Sequence, residues 1–136
     1  MRIELTRRGD YAVRAAIVLA RPQAGQMTAA ALAEATGIPA SYVPQVMGGL
    51  VRAGLVANRR GRSGGYRLSK RAADINLLEI VEAAEGRRDQ RICVIRGGPC
   101  RTDGRCDVHD AFASAERAAF GTLARVALGD VVAGRA

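Results

Sequence analysis

The residues best suited to chemistry lie in one stretch, CVIRGGPCRTDGRCDVHD, at positions 93–110. It holds all three cysteines of the chain, Cys93, Cys100 and Cys106, and the only histidine, His109. Their spacing, C-x6-C-x5-C-x2-H, lacks the closely paired ligands of most zinc fingers and ribbons. Three thiolates in a glycine-rich loop, completed by a nitrogen or oxygen ligand, suit an iron–sulfur cluster better. Structural zinc, a thiol switch and inert cysteines remain as alternatives.

His109 lies three residues after Cys106, so the two side chains share a face if a helix has already begun there. It is therefore a candidate fourth ligand, and the alternative is an exposed histidine at a helix start. An odd number of cysteines without an export signal argues against a disulfide framework. Because no run of about 18 apolar residues is present, we expect a cytoplasmic protein with no membrane partner.

The net charge of the chain is +8 at 136 residues, and it is unevenly distributed. Residues 1–72 carry twelve Arg and Lys against three acids, a net of +9, whereas residues 73–136 carry nine against ten, a net of −1. A basic half of this kind indicates either a nucleic-acid partner or only a well-solvated surface. The pattern around these charges decides between the two.

Helical periodicity and its breakers predict three helices in the basic half. The first extends from about Thr6 to Ala20, the second from a cap at Thr28 through Ala35, and the third from near Ser41 to a stop at Gly54. The segment LVANRRGRSGGYRLS follows and is typical of strand, glycine-rich turn and strand. A basic hairpin after a helix-turn-helix predicts a winged helix, in which the third helix enters the DNA major groove.

The third helix and the wing supply the candidate DNA-binding residues. Val43, Met47, Leu50 and Val51 form the expected buried stripe of that helix. The opposite face and the wing contain the remaining candidates: Ser41, Tyr42, Gln45, Arg52, Arg59, Arg60, Arg62, Ser63, Gly64 and Gly65. Gln pairs with adenine and Arg with guanine or phosphate, and the wing glycines let the backbone approach DNA.

Two consecutive glycines, Gly48 and Gly49, interrupt the third helix. Each costs about 1 kcal/mol relative to alanine in a helix interior. They either permit close approach to DNA or to a neighbouring helix, or they leave the helix weak.

The acidic half predicts a short helix from Leu77 to Ala84 and, after the cysteine stretch, a long one from Val108 to Val126. The long helix carries an apolar stripe of Val108, Phe112, Ala115, Ala119, Leu123 and Val126. Such a helix beyond a small winged domain favours a dimer over a monomer core. We therefore divide the chain into a DNA-binding domain (1–86), a cysteine-bearing loop (87–106) and a dimerisation helix with its tail (107–136). The predicted fold class is mainly α with a small β-hairpin wing.

These motifs together resemble the IscR/NsrR (Rrf-two type) family of winged-helix transcription regulators. The resemblance covers nearly the whole chain and rests on GDYAVRAAIVLA, IPASYVPQVMGGLVRAGLV, RRGRSGGYRLS and the three cysteines. It implies that the long helix forms a homodimer and that Cys93, Cys100 and Cys106 hold a cluster. The fourth ligand implied by the cluster-assembly branch, with [2Fe-2S], is His109. The nitric-oxide-sensing branch, with [4Fe-4S], implies an aspartate of the partner subunit's first helix, a position matched by Asp10.

The resemblance predicts a DNA-binding regulator, most simply a repressor, that senses nitric oxide, redox state or iron–sulfur status. Its operator does not transfer, because Pro44 replaces an acidic residue of the cluster-assembly branch and cannot accept a hydrogen bond from cytosine. The same fold controlled by thiol oxidation, zinc or a protein partner is the alternative. A cysteine-dependent enzyme is a remote one, since no paired carboxylates stand near the cysteines, and we expect no enzymatic activity.

Overall fold

The computed structural model describes residues 3–87, 93, 95 and 106–136. Its elements, in chain order, are α1 (Arg7–Leu19), α2 (Ala29–Thr36), α3 (Val43–Arg52), β1 (Val56–Arg59), β2 (Gly65–Leu68), a 3-10 turn (Ala72–Asp74), α4 (Leu77–Glu85), α5 (His109–Arg125) and α6 (Leu128–Val132). The predicted fold class, mainly helical with a two-stranded antiparallel wing, is confirmed. No helix in the described ranges is long and apolar enough to cross a bilayer.

Local side-chain chemistry sets the ends of the first helices. The Thr6 hydroxyl accepts a hydrogen bond from the backbone N–H of Gly9 at 3.1 Å and caps α1. Thr28 caps α2 in the same way, with its hydroxyl 3.1 Å from the N–H of Ala31. Gly37 ends α2 at φ +72°, a left-handed conformation that glycine adopts without steric penalty. The predicted helix-turn-helix boundary at Gly37 is therefore confirmed.

The core lies where α1, α3 and α4 meet, and α2 closes one side. Its largest fully buried side chains include Leu32, Met47, Leu50 and Ile80. Each such side chain contributes about 1.5–3 kcal/mol by leaving water. Val51, expected in the buried stripe, is only partly buried.

The structure separates the roles of the two glycines in α3. A Cβ at Gly49 would stand 2.8 Å from the carbonyl oxygen of Ala83, so glycine lets α3 approach the backbone of α4. A Cβ at Gly48 would meet only the guanidinium of Arg52, at 3.4 Å. Gly49 thus serves helix packing, and Gly48 leaves the outer surface of α3 open.

A short backbone bridge joins the hairpin to the segment before α2. Val56 pairs with Leu68 and Arg59 with Gly65 in the antiparallel register. Met27 then adds two backbone hydrogen bonds to Tyr66, at 2.9 and 2.7 Å, which extend the sheet by one bridge. The wing is therefore held to the segment that precedes α2.

The chain returns to the winged-helix core after α5. The N–H of Leu77 donates to the carbonyl of Val126 at 3.0 Å, and the N–H of Leu128 donates to that of Ile75 at 2.8 Å. Leu128 is completely buried in the core. Residues expected as a tail thus pack on the DNA-binding domain and fix the C-terminal end of α5. The division into three ranges stays a prediction, because most of 87–106 lies outside the described residues.

Candidate nucleic-acid interface

The outer face of α3 carries the polar candidates, opposite its buried stripe. Gln45 and Arg52 are exposed, whereas Val43 and Met47 are buried on the other side. Their separation follows from helical periodicity, which puts positions three and four apart on one face. An exposed glutamine and arginine on one helix face have the donor and acceptor groups that read base edges.

Ser41 and Tyr42 precede the regular helix, which begins at Val43 rather than near Ser41. The N–H of Tyr42 donates to the carbonyl of Pro39 at 2.8 Å, so these residues wind as a tight turn. Tyr42 remains 42% exposed although its ring packs edge-on against Tyr11, with centroids 6.1 Å apart. Both candidates therefore lie at the entrance of α3.

The wing presents exposed arginines around a closed turn. Arg59, Arg60 and Arg62 are exposed, as is Ser63. The N–H of Gly64 donates to the carbonyl of Gly61 at 2.9 Å and closes the turn. The side-chain amide of Gln26 donates to the carbonyl of Ser63, which ties the wing tip to the segment before α2.

Gly65 stands at the base of the wing. Its φ is +148°, and a Cβ there would overlap the backbone of Met27. The predicted glycines thus build the wing by letting two backbones meet. Their contact with DNA stays a prediction.

The wing arginines differ from their neighbours in charge pairing. Among the described residues, no acid forms an ion pair with Arg59, Arg60 or Arg62. Arg71, by contrast, donates to Asp74 at 2.7 Å, and this hydrogen bond raises the pKa of Arg71 and lowers that of Asp74. The charge available for an external anion is thus concentrated in the wing rather than after it.

Arg7 and Arg8 line a cleft with the entrance of α3, a feature that the sequence reasoning missed. The cleft has a volume of about 150 Å³ and is lined by Arg7, Arg8, Tyr11, Tyr42, Gln45 and Val46. The signal in the sequence was a pair of arginines directly after a capping threonine. Cations at a helix N-terminus oppose the helix dipole, so a pair of arginines there is locally unfavourable unless an anion is nearby.

The candidate metal ligands are only partly within the described residues. Cys93 and Cys106 are both half-buried, and Cys100 lies outside the described residues. The backbone N–H of His109 donates to the carbonyl of Cys106 at 2.9 Å, so one turn joins the last cysteine to the start of α5. Asp10 accepts from the Arg14 guanidinium at 2.9 Å within α1. In the part of the chain that the structure describes, no three potential ligands assemble into a metal-binding group.

A helix-turn-helix followed by an arginine-bearing hairpin defines a winged-helix DNA-binding protein. Residues 5–134 match the Rrf2 family model, described as an iron-dependent transcriptional regulator. The chain belongs to the Rrf2 family. The prediction of the family, and with it of a DNA-binding transcription regulator rather than an enzyme, is confirmed.

Individual relatives agree with this assignment. The chain is 36% identical over 131 residues to a protein of Neisseria meningitidis named as an HTH-type transcriptional regulator, covering 96% of this chain and 88% of that one. It is 34% identical over 131 residues to IscR of Escherichia coli, covering 96% and 80%. Its fold is similar to that of CymR, described as the global cysteine regulator of Bacillus subtilis, with a TM-score of 0.78, 21% identity and 98% of both chains covered.

Proposed function

We propose that the chain is a homodimeric, cytoplasmic repressor whose operator binding is controlled by an iron–sulfur cluster. Cys93, Cys100 and Cys106 supply three thiolates, and His109 supplies the fourth ligand. The observation that carries the proposal is the turn at the start of α5, where the His109 N–H bonds the Cys106 carbonyl at 2.9 Å. Sulfur and imidazole donors suit an iron–sulfur cluster. When bound, the cluster would be the part of the protein that reacts with nitric oxide or oxidants, or that is lost when iron is scarce.

We prefer His109 to Asp10 as the fourth ligand because His109 is close to Cys106 in the same chain. Cys106 lies three residues before His109, where α5 begins, and the backbone hydrogen bond between them at 2.9 Å keeps both residues in one tight turn of the same protomer. Asp10 lies on α1, where it is ion-paired with Arg14 at 2.9 Å, and it would serve only as a ligand from the partner subunit. The proposed set therefore lies within one protomer.

The DNA-binding part of the proposal assigns different roles to α3 and to the wing. Gln45 and Arg52 read base edges in the major groove, with Ser41 and Tyr42 at the entrance of α3. The wing arginines bind phosphates or a narrow minor groove, where positive charge is favoured. Their lack of ion pairs with any described acid supports this role, because no internal contact must break first.

The dimer is proposed to form along α5. This helix of 17 residues has no buried residue in the protomer, and Phe112 is 40% exposed on it. A second copy of α5 covers the apolar stripe and pairs two recognition helices. Dimers of this class read half-sites about one DNA turn, ~34–36 Å, apart.

Control of DNA binding then follows from the position of the proposed ligands. Cys106 and His109 stand at the N-terminal end of α5, and the other end of α5 is fixed to the core through Leu128. Metal ligation orders the segment that carries the ligands. Losing that order changes the packing of α5 and the separation of the two α3 helices. A coupling of about 1–3 kcal/mol is enough for a useful switch.

The experiment is absorbance spectroscopy with iron and sulfide analysis of anaerobically purified protein. Wild type is compared with His109→Ala, Asp10→Ala and the control Asp110→Ala, which alters the neighbouring helix position. We expect a brown wild type and loss of the cluster only in His109→Ala. Loss only in Asp10→Ala moves the ligand to α1, and a colourless, iron-free wild type after anaerobic reconstitution rejects the cluster.

A second candidate keeps the fold and replaces the cluster by thiol oxidation. The similarity of the fold to CymR, described as a global cysteine regulator, favours considering it. Zinc or a protein partner bound at the same cysteines are further forms of it. In that case a colourless protein changes its DNA affinity on treatment with peroxide, and Cys106→Ser removes the response.

A further inference from the structure

The cleft between the N-terminal ends of α1 and α3 has a composition suited to an anion. Arg7 and Arg8 form one wall, and Tyr42 and Gln45 form the other. Its volume of about 150 Å³ leaves room for one phosphate group between these side chains. Guanidinium, phenol and amide groups are the side chains that donate hydrogen bonds to phosphate oxygens. We infer that this cleft binds a phosphate of the DNA backbone.

The charges of the cleft are not neutralised from within. Among the described residues, Arg7 and Arg8 take part in no ion pair, whereas Arg14, two turns further along α1, is paired with Asp10. Arginines in a first helical turn are also disfavoured by the helix dipole, by about 0.3–1 kcal/mol each when exposed. A bound anion would offset both effects, because it is attracted by the two arginines.

The start of α1 is held in place by α4. The backbone N–H and the hydroxyl of Thr6 both donate to one carboxylate oxygen of Glu85, at 2.7 and 2.8 Å. Gly9 leaves room for that carboxylate, since a Cβ at this position would overlap it. Glu85 therefore contacts Thr6 rather than either arginine. The cleft wall is fixed without a competing ion pair.

DNA is the favoured source of the phosphate because of the second wall. Gln45 and Tyr42 belong to the proposed recognition surface, so this step rests on the proposed function. A helix in the major groove is flanked on both sides by sugar–phosphate strands. The strand that passes the entrance of α3 meets the cleft, and Arg7 and Arg8 extend the contact beyond helix and wing.

The test is the salt dependence of binding to a random-sequence duplex, measured by fluorescence anisotropy on the full dimer. Each neutralised phosphate contributes about −0.9 to the slope of log K against log salt. With one cleft per protomer, Arg7→Ala/Arg8→Ala should reduce the magnitude of the slope by about 2 and weaken binding about tenfold or more at low salt. Arg7→Lys/Arg8→Lys should keep most of the slope.

Arg21→Ala is the matched control for charge. Arg21 is exposed and lies past the opposite end of α1, which has 13 residues and is therefore roughly 20 Å long. We expect its slope to equal that of the wild type. The double alanine variant should unfold at or above the wild-type temperature, because an unfavourable interaction with the helix dipole has been removed. If it does, weaker DNA binding by this variant is not caused by misfolding.

The outcomes separate this inference from the proposed function. A wild type that binds no duplex rejects the DNA-binding surface as a whole. A wild type that binds, with a double variant equal to Arg21→Ala, overturns the cleft alone. Titration with inorganic phosphate in the absence of DNA, followed by the NMR signals of the Tyr11 and Tyr42 rings, tests whether a soluble phosphate is the ligand instead. Saturation of these signals below millimolar phosphate overturns the assignment to DNA. No saturation in that range supports it.

Discussion

Gln45 and Arg60 are both exposed polar residues of the candidate interface, but they are suited to different parts of DNA. Gln45 lies on α3, whose outer face is suited to base edges. Arg60 lies in the wing turn, where no described acid is ion-paired with it. Base contacts carry sequence information, and phosphate contacts carry affinity and salt dependence.

We predict that Gln45→Ala changes sequence preference and Arg60→Ala changes overall affinity. Loss of one base contact should reduce discrimination at one position by about 1–3 kcal/mol. Loss of one phosphate contact per protomer should reduce the magnitude of the slope of log K against log salt by about 2 in a dimer. Selection from a randomised duplex library, followed by anisotropy at several salt concentrations, measures both. An equal loss on all sequences for Gln45→Ala would remove it from the base-reading set.

At the scale of single residues, the sequence identified exposed candidates better than it identified their partners. Gln45, Arg52 and the wing arginines were predicted because they stand opposite a buried stripe or in a turn. Arg7 and Arg8 were missed because their significance depends on Tyr42 and Gln45, which are more than 30 positions away in the chain. Contacts between such distant positions are not encoded in local periodicity.

At the scale of elements, the neighbouring glycines of α3 allow a matched pair of substitutions. Gly49→Ala should destabilise the protein by about 1–3 kcal/mol, because its Cβ would stand 2.8 Å from the Ala83 carbonyl oxygen and force α3 away from α4. Gly48→Ala should stabilise the fold by up to about 1 kcal/mol through helix propensity. Urea unfolding of both variants measures the difference. Equal effects would contradict the assignment of Gly49 to helix packing.

Glu85 joins the end of α4 to the start of α1, and its removal tests that contact. Glu85→Ala should lower the free energy of unfolding by about 1–2 kcal/mol, because Thr6 loses two hydrogen bonds to that carboxylate. Glu85→Gln retains an acceptor oxygen and should lose less. Glu82, three residues earlier, pairs with the exposed Arg87 at 3.6 Å. Glu82→Ala should therefore change stability by no more than about 0.5 kcal/mol, and a similar loss in Glu82→Ala and Glu85→Ala would argue against a specific tie.

The positions of the elements were predictable where the chain carries its own boundary signals. Thr6, Thr28 and Gly37 mark helix ends by capping chemistry, and the structure has them there. The start of α3 was placed two residues early, since Ser41 and Tyr42 belong to a tight turn that the Tyr42 N–H closes on the Pro39 carbonyl at 2.8 Å. Helix α6 was missed because five residues are too few for a periodic pattern.

At the scale of the whole molecule, the winged-helix core and α5 differ in how many side chains they bury within one protomer. The core buries side chains from α1 to α4 and from α6, including Leu128 near the C-terminal end. Helix α5 buries none of its 17 residues in the protomer. Because this long helix is anchored at its end by core contacts and carries an apolar stripe of its own, we propose that a second copy of the chain covers the stripe.

We predict that Phe112→Asp dissociates the dimer. Phe112 is 40% exposed on the apolar stripe, and a carboxylate there would be buried without a partner against the second helix. Ser114→Asp is the control, because it adds the same charge to the same helix on roughly the opposite face. Light scattering after size exclusion should give a monomer for Phe112→Asp and a dimer for Ser114→Asp. The monomer should also bind a two-half-site duplex with the affinity of a single half-site, since it loses the gain from linked binding. A dimer in both variants would place the interface elsewhere, and the separation of the two α3 helices would then be set by a different surface.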